Sequence, residues 1–260
     1  MISLTDQIGT VHHFDKVPTR IISLVPSQTE LLCDLELEND LVGITKFCVH
    51  PSHLNKIKAI VGGTKTVNVD KIRNLNPDII IANKEENTKE IVAELSKICH
   101  VWVTNVTTFD DNLKMIADFG ALFNKQRCAA QWQNKIQTAK TSFDLFTKNK
   151  KSFKVAYFIW ANPYMVAGTS TFINEMLLLN KFINVYHHLE RYPAIELESL
   201  PQLDFVFLSS EPFPFKQKQA NEIKKHTQAK IVFVDGEFFS WHGSRILKAF
   251  EYFYSLHQNL

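Results

Sequence analysis

Apolar residues along this chain cluster in short β-branched runs, and the stretches between the runs carry apolar positions every three or four residues. The runs RIISLVP (20–26), LVGITKF (41–47), DIIIAN (78–83) and HVWVTNV (100–106) predict buried strands. Between them, SQTELLCDLEL (27–37) predicts a helix with Ser27 as its N-cap and Glu30 closing a capping box. VDKIRNLNP (69–77) predicts a second helix that turns Ile72 and Leu75 inward. ENTKEIVAELSKIC (86–99) predicts a third, capped near Asn87. Strands and helices in this alternation make a parallel sheet covered by helices.

The rhythm changes near residue 119. Cys128, Trp132, Ile136, Ala139, Phe143 and Phe146 fall three or four apart, and no Gly or Pro interrupts 124–151. One amphipathic helix is predicted over 119–149; some 25 residues at about 1.5 Å each span roughly 37 Å. A crossover inside one small sheet needs less, so the helix predicts a rod joining two lobes. Strand and helix patterns then resume: strands at KVAYFIW (154–160), DFVFLSS (204–210) and KIVFVD (230–235), and helices at STFINEMLLLNKFIN (170–184, capped by Ser170 or Thr171), FKQKQANEIKKH (215–226) and SRILKAFEYFYSLHQ (244–258). The expected organisation is an N-terminal α/β lobe over 1–122, a connecting helix over 123–150 and a C-terminal α/β lobe over 151–260.

Composition narrows the function classes. With 260 residues there is chain enough for two lobes with real cores. A formal net charge of +2 argues against a nucleic-acid binder, which needs a clustered basic surface. The basic run KNKKSFK (148–154) reads as a solvated linker. Twenty Phe and four Trp are enough to fill cores and still line a large apolar pocket. None of the four cysteines has C-x-x-C spacing, so no zinc knuckle or disulfide framework is expected, and Cys33 and Cys99 read as core thiols. No apolar run is long enough to span a membrane.

RIISLVPSQTELL, GITKFCVHP, VGGTKTVNVDKIRNLNPDIIIANKEEN and VDGEFFSWHGSR, in that order and with a long helix between the halves, resemble the class III substrate-binding proteins of ABC importers. These are the helical-backbone metal receptors that carry cobalamin, haem and iron–siderophores, and the resemblance is to the cobalamin-binding branch. It implies two Rossmann-like lobes with parallel-rich sheets, joined by one rigid helix, with a ligand cleft between them. It implies a binding protein and not an enzyme, a monomer without resident cofactor or metal, and an ABC permease as partner. Haem or a ferric siderophore is the alternative ligand within the fold; a cytosolic corrinoid-handling or sensing protein is the alternative outside transport. The family is periplasmic, whereas MISLTDQIGTVHHF has no basic n-region, apolar h-region or lipid-accepting cysteine. From these residues the chain is expected inside the cell, unless its exported form carries a leader outside this sequence.

Carried over residue by residue, the resemblance points to Pro26, Ser27 and Gln28 after the first strand, Phe47 and His50 in the next loop, Thr64 and Lys65 after the double glycine, and Asn83 and Lys84 at the end of the third strand. In the second lobe it points to Trp160, Asn162 and Tyr192, and to Glu237, Phe239, Trp241 and His242 in the last loop. At least one of Phe238 and Phe239 is expected to be plain core, and Arg245 to be structural. Permease docking in the family uses one surface carboxylate per lobe. Glu196 matches in the second lobe; in the first the matching position is Lys89, with Glu90 beside it.

Within KFCVHP (46–51), Cys48 and His50 point the same way if the loop is extended. Several roles stay open for them: ligands of an inorganic metal, a Cys–His catalytic pair, structural side chains, or the lining of a pocket for a flat macrocycle. The last is the expectation for His50, with Cys48 a bystander.

Overall fold

The computed structural model describes residues 2–260. The chain opens with an antiparallel hairpin, β1 (Ile2–Thr5) and β2 (Val11–Phe14), that the apolar runs did not reveal. Asp6 holds its turn, accepting from the backbone N–H groups of Ile8 and Thr10.

Contact clustering divides the chain into two compact units. One holds the residues up to Val106 with Asp110–Gln137 and His242–Leu247; the other holds Thr107–Phe109, Thr138–Trp241 and Lys248–Leu260. The first unit is built on a parallel sheet of β3 (Ile21–Ser23), β4 (Leu41–Ile44), β5 (Ala59–Ile60), β6 (Ile79–Asn83) and β7 (His100–Thr104), in the order β5-β4-β3-β6-β7. Each strand returns through a helix: α1 (Pro26–Asp34), α2 (Leu54–Ile57), α3 (Val69–Asn74) and α4 (Lys89–Leu95). β3 and β6 are buried at every position. Helices on both faces leave no polar side, which is why IIIAN shows no alternation. Ile22, Leu24, Ile72, Ile80 and Leu95 make one core.

The second unit repeats the plan with β8 (Lys154–Trp160), β9 (Met165–Val166), β10 (Ile183–Asn184), β11 (Phe205–Ser209) and β12 (Lys230–Val234), in the order β10-β8-β11-β12. These strands are parallel except for β9, which pairs antiparallel with β8. Its helices are α7 (Phe172–Leu179), α8 (Gln217–Ile223), α9 (Glu237–Ser240) and most of α10 (Ile246–Asn259). The expected cap of α7 is Thr171, whose hydroxyl accepts from the Asn174 N–H at 3.1 Å.

The long helix is shorter than the apolar spacing predicted. α5 (Phe109–Leu122) ends, and α6 (Gln126–Thr147) begins after a break. Asn124 takes φ 56°, and the Lys125 N–H reaches back to the Gly120 carbonyl at 2.7 Å. This is a left-handed C-terminal stop that asparagine tolerates nearly as glycine does, so the absence of Gly and Pro did not exclude it. The predicted stripe survives within α6, with Ile136 and Phe143 fully buried. At about 1.5 Å per residue, the helix spans roughly 33 Å.

The capping box at α1 is also corrected. Val25 is the N-cap, no side chain caps the helix, and Pro26 occupies its first turn. Pro suits that position because its missing N–H would have no partner there. Glu30 instead forms a buried two-point ion pair with Arg245, Nε to Oε2 at 2.7 Å and Nη2 to Oε1 at 3.3 Å. α4 is capped by Thr88, not Asn87; the Asn87 carboxamide accepts from the Asn83 N–H and donates to the Thr64 carbonyl. Cys33 and Cys99, expected in the core, are only half-buried. No helix among the described residues is long and apolar enough to cross a membrane.

Candidate functional site

In an open parallel sheet, the loops leaving the C-terminal ends of the strands are not used up by the next helix, and ligands bind there. In the first unit these loops follow β3, β4, β5 and β6. After β3 the chain enters α1 at once, so Pro26, Ser27 and Gln28 are buried in its first turn. The Gln28 side chain is completely enclosed; its Nε2 donates to Thr104 Oγ1 at 2.5 Å and meets His242 Nε2 at 2.9 Å, while Oε1 has no partner. Burial lowers the His242 imidazole to about 4, so the ring is neutral. A carboxamide nitrogen only donates, so Nε2 of His242 accepts and its proton sits on Nδ1. His242, predicted in the second lobe, clusters with the first unit, where it meets Gln28, itself held by Thr104.

Phe47 stands 49% exposed on the loop after β4, with Lys46 Nζ 5.0 Å from its ring centre. Gly63 lies against it: a Cβ at that position would come within 3.1 Å of the Phe47 ring. The loop after β5 turns tightly because Gly62 adopts φ +130°, where a Cβ would collide with the Thr66 carbonyl oxygen at 2.5 Å. At the tip of this turn Thr64 is half-buried, and Lys65 is exposed with Nζ donating to the Glu85 carbonyl at 2.6 Å. Glu86 lies close by; burial pushes its carboxyl up, against the pull of Lys65. His50 is half-buried and Lys84 exposed.

Asn83 departs from its expected role. It is buried, with Nδ2 donating to Thr104 Oγ1 at 3.0 Å and Oδ1 accepting from the Glu85 and Glu86 N–H groups. Its amide is spent on shaping the loop, so no part of it is left for a ligand. Thr104 receives both Gln28 and Asn83 and donates to the Ala82 carbonyl at 3.1 Å. It organises these loops, and nothing in HVWVTNV marked it.

In the second unit, Trp160 ends β8 at 40% exposure, packed edge-to-face on Phe213 at 5.6 Å. Asn162 is exposed at φ 64° in the turn that follows. Tyr192 is half-buried on the segment that bridges back to β9 through Met165 and Ala194. Glu237 is half-buried at the start of α9, and Trp241 is nearly buried, with Nε1 donating to Glu211 Oε1 at 2.8 Å. Phe239 is corrected: it is fully buried between Tyr157 and Phe253, each ring 5.0 Å away. It faces the sheet from α9, where an apolar ring fills the core, and leaves the lining. Phe238 stacks on Tyr252 at 4.7 Å. Glu211 and Phe213 were missed; SSEPFPF, an aromatic and an acid set among prolines at a strand end, was the available signal.

Of the two carboxylates expected to dock on a permease, Glu90 is exposed in the first turn of α4, held below the usual range by its own backbone N–H and by Thr88. Glu196 is exposed just before the 3-10 turn Leu197–Ser199.

The chain is similar to known proteins across most of its length. It is 28% identical over 173 residues to the ABC transporter substrate-binding lipoprotein YvrC of Bacillus subtilis, a match covering 62% of this chain and 54% of that protein, so about half of the relative's length. It is 24% identical over 197 residues to the vitamin B12-binding protein of Vibrio cholerae, covering 72% of this chain and 70% of the relative. The crystal structure of the periplasmic haem-binding protein HutB of Vibrio cholerae superposes with a TM-score of 0.77 at 22% identity, covering 92% of this chain and 98% of that one. The family model described as periplasmic binding protein matches residues 21–209. Since that match enters at β3 and leaves at the end of β11, taking in sheet strands of both units, the chain belongs to the periplasmic binding protein family.

Proposed function

We propose that this chain is the substrate-binding protein of an ABC importer and that its ligand is cobalamin or a related metal macrocycle. The observation that carries the reading is the exposure of large aromatic rings, Phe47 and Trp160, at the C-terminal strand ends of the two units. Exposed apolar rings set among a few polar groups suit a flat, partly apolar ligand. The vitamin B12-binding relative supports the choice of macrocycle. On this reading the protein carries out no chemistry on its cargo: Phe47, Trp160 and Trp241 cover apolar surface of the ligand, while His50, Thr64, Lys65, Lys84, Asn162, Tyr192 and Glu237 supply polar contacts and the enclosed His242 braces Gln28. Pro26, Ser27 and Gln28 support them from the first turn of α1. Glu90 and Glu196 register the protein on a permease through its arginines.

Haem is the second reading, favoured by the fold shared with HutB. Absorbance titration of the purified protein with cyanocobalamin, haemin and a ferric hydroxamate, each followed by equilibrium dialysis, separates the two. Retention of one equivalent of cyanocobalamin is expected. Retention of haemin or the hydroxamate but no cobalamin moves the assignment to that ligand, and retention of none removes the macrocycle reading.

A further inference from the structure

We propose that Glu211 is a positioning residue, fixing the plane of the Trp241 indole for ligand binding; this rests on Trp241 belonging to the binding surface. The argument starts at the end of β11. The Ser209 hydroxyl donates to the Glu211 carbonyl at 2.6 Å, and the Glu211 N–H lies 3.3 Å from the same hydroxyl. The chain therefore doubles back immediately after the strand and projects the Glu211 side chain past Gly236 to the end of α9. There a single carboxylate oxygen, Oε1, accepts from Trp241 Nε1 at 2.8 Å and from the Ser240 hydroxyl at 2.7 Å. An ionised carboxylate is an acceptor only, and two donors converging on it form charge-assisted bonds with defined direction.

The path of this carboxylate is built into the backbone. Gly236 lies directly beneath it: a Cβ there would stand 2.6 Å from Glu211 Cγ and 2.4 Å from Ser209 Oγ. Any other residue at 236 would push the acid aside. α9 has only four residues, too few for a helix to hold a side chain's orientation by itself. Immediately after Trp241 the chain passes to residues that cluster with the other unit. An indole on so short an element, with one polar atom, takes its rotation from whatever accepts its N–H, and here that is Glu211.

The experiment compares Glu211→Ala, Glu211→Gln and Gly236→Ala in two measurements. The first is the emission of Trp241 in the ligand-free protein, isolated by difference against Trp241→Phe in each background. The second is the Kd for cyanocobalamin. Glu211→Ala should shift the Trp241 emission and weaken binding about tenfold or more. Glu211→Gln, whose amide oxygen still accepts both donors, should keep the emission and bind within about threefold of the parent. Gly236→Ala keeps Glu211 in the chain but displaces its side chain, and should reproduce the Glu211→Ala emission; it serves if Glu211→Ala does not fold. The proposal is overturned if Glu211→Ala lowers the melting temperature yet leaves emission and Kd unchanged, which is what a merely structural carboxylate would do. It is also overturned if Glu211→Gln fails as badly as Glu211→Ala. Should the parent protein bind no cyanocobalamin, the ligand reading fails separately, and the emission arm alone decides whether Glu211 orients Trp241.

Discussion

Cys48 and His50 lie two residues apart on the loop after β4, and their surroundings divide them. The Cys48 sulfur is buried, 3.0 Å from the Thr29 hydroxyl and 3.2 Å from that of Thr45, and burial pushes its thiol up, so it stays protonated. His50 is half-buried. His50→Ala is therefore expected to weaken cyanocobalamin binding about tenfold, near 1.4 kcal/mol, while Cys48→Ser leaves the Kd unchanged. The reverse result in a dialysis titration would make this loop a thiol site. The tryptophans divide in the same way. Trp160 is exposed, whereas Trp102 is buried and Trp132 donates to the Asp34 carbonyl at 3.0 Å. A bound corrin absorbs where tryptophan emits, so Trp160→Phe and Trp241→Phe should each remove part of the ligand-induced quenching, and Trp132→Phe little. Quenching unchanged from the parent in both of the first two variants would place neither ring near the ligand.

At the scale of elements, local rules located the helices well and their ends poorly. The S-x-x-E pattern at α1 is a sound N-terminal signature, but Glu30 has a stronger partner in Arg245, which is 215 residues away. Both side chains are nearly buried. Removing one leaves the other charge enclosed, so Arg245→Met should lower stability by about 3–5 kcal/mol, read from urea unfolding. Replacing both, Glu30→Leu with Arg245→Met, should recover most of that loss, because a well-packed apolar pair can match a buried ion pair. If the double variant is no better than the single one, the pair does more than neutralise itself. The break between α5 and α6 follows the same logic. Apolar spacing reports which face of a helix is buried and is silent on where an asparagine turns left-handed.

For the whole molecule, pH reports on two imidazoles, His242, which is buried, and His257, which is half-buried. His242 and His257 are both lowered to about 4, chiefly by burial. In the unfolded chain they titrate near 6.5. Above that value both states are neutral and the full stability is present. As pH falls from about 6.5 toward 4, the unfolded chain takes up protons that the folded protein refuses, so stability falls. For His242 alone, which is buried, the loss is at most on the order of 3 kcal/mol. Urea midpoints should decline between pH 7 and pH 5, and His242→Gln should flatten part of the decline; midpoints that stay level across this range would mean that both rings protonate freely in the fold.

The α/β alternation, most of the sheet strands and the buried stripe of α6 could be read from the residues alone. The reason is that a strand covered on both faces must be apolar throughout, and a helix covered on one face must repeat every three or four residues; both are local patterns. The sequence also pointed to the exposed rings Phe47 and Trp160. It could not reveal β1 and β2, because in β2 the apolar Val11 faces solvent while the polar His12 is buried, so polarity along the strand does not follow its burial. Nor could it show that Phe239 fills a core, that Asn83 is consumed by its own loop, or that His242 meets Gln28 across 214 residues. These came from long-range packing, as did the carboxylate of Glu211 on Trp241. A polar or aromatic side chain takes its role from whichever partner the folded chain brings within reach, and that choice leaves no period in the sequence.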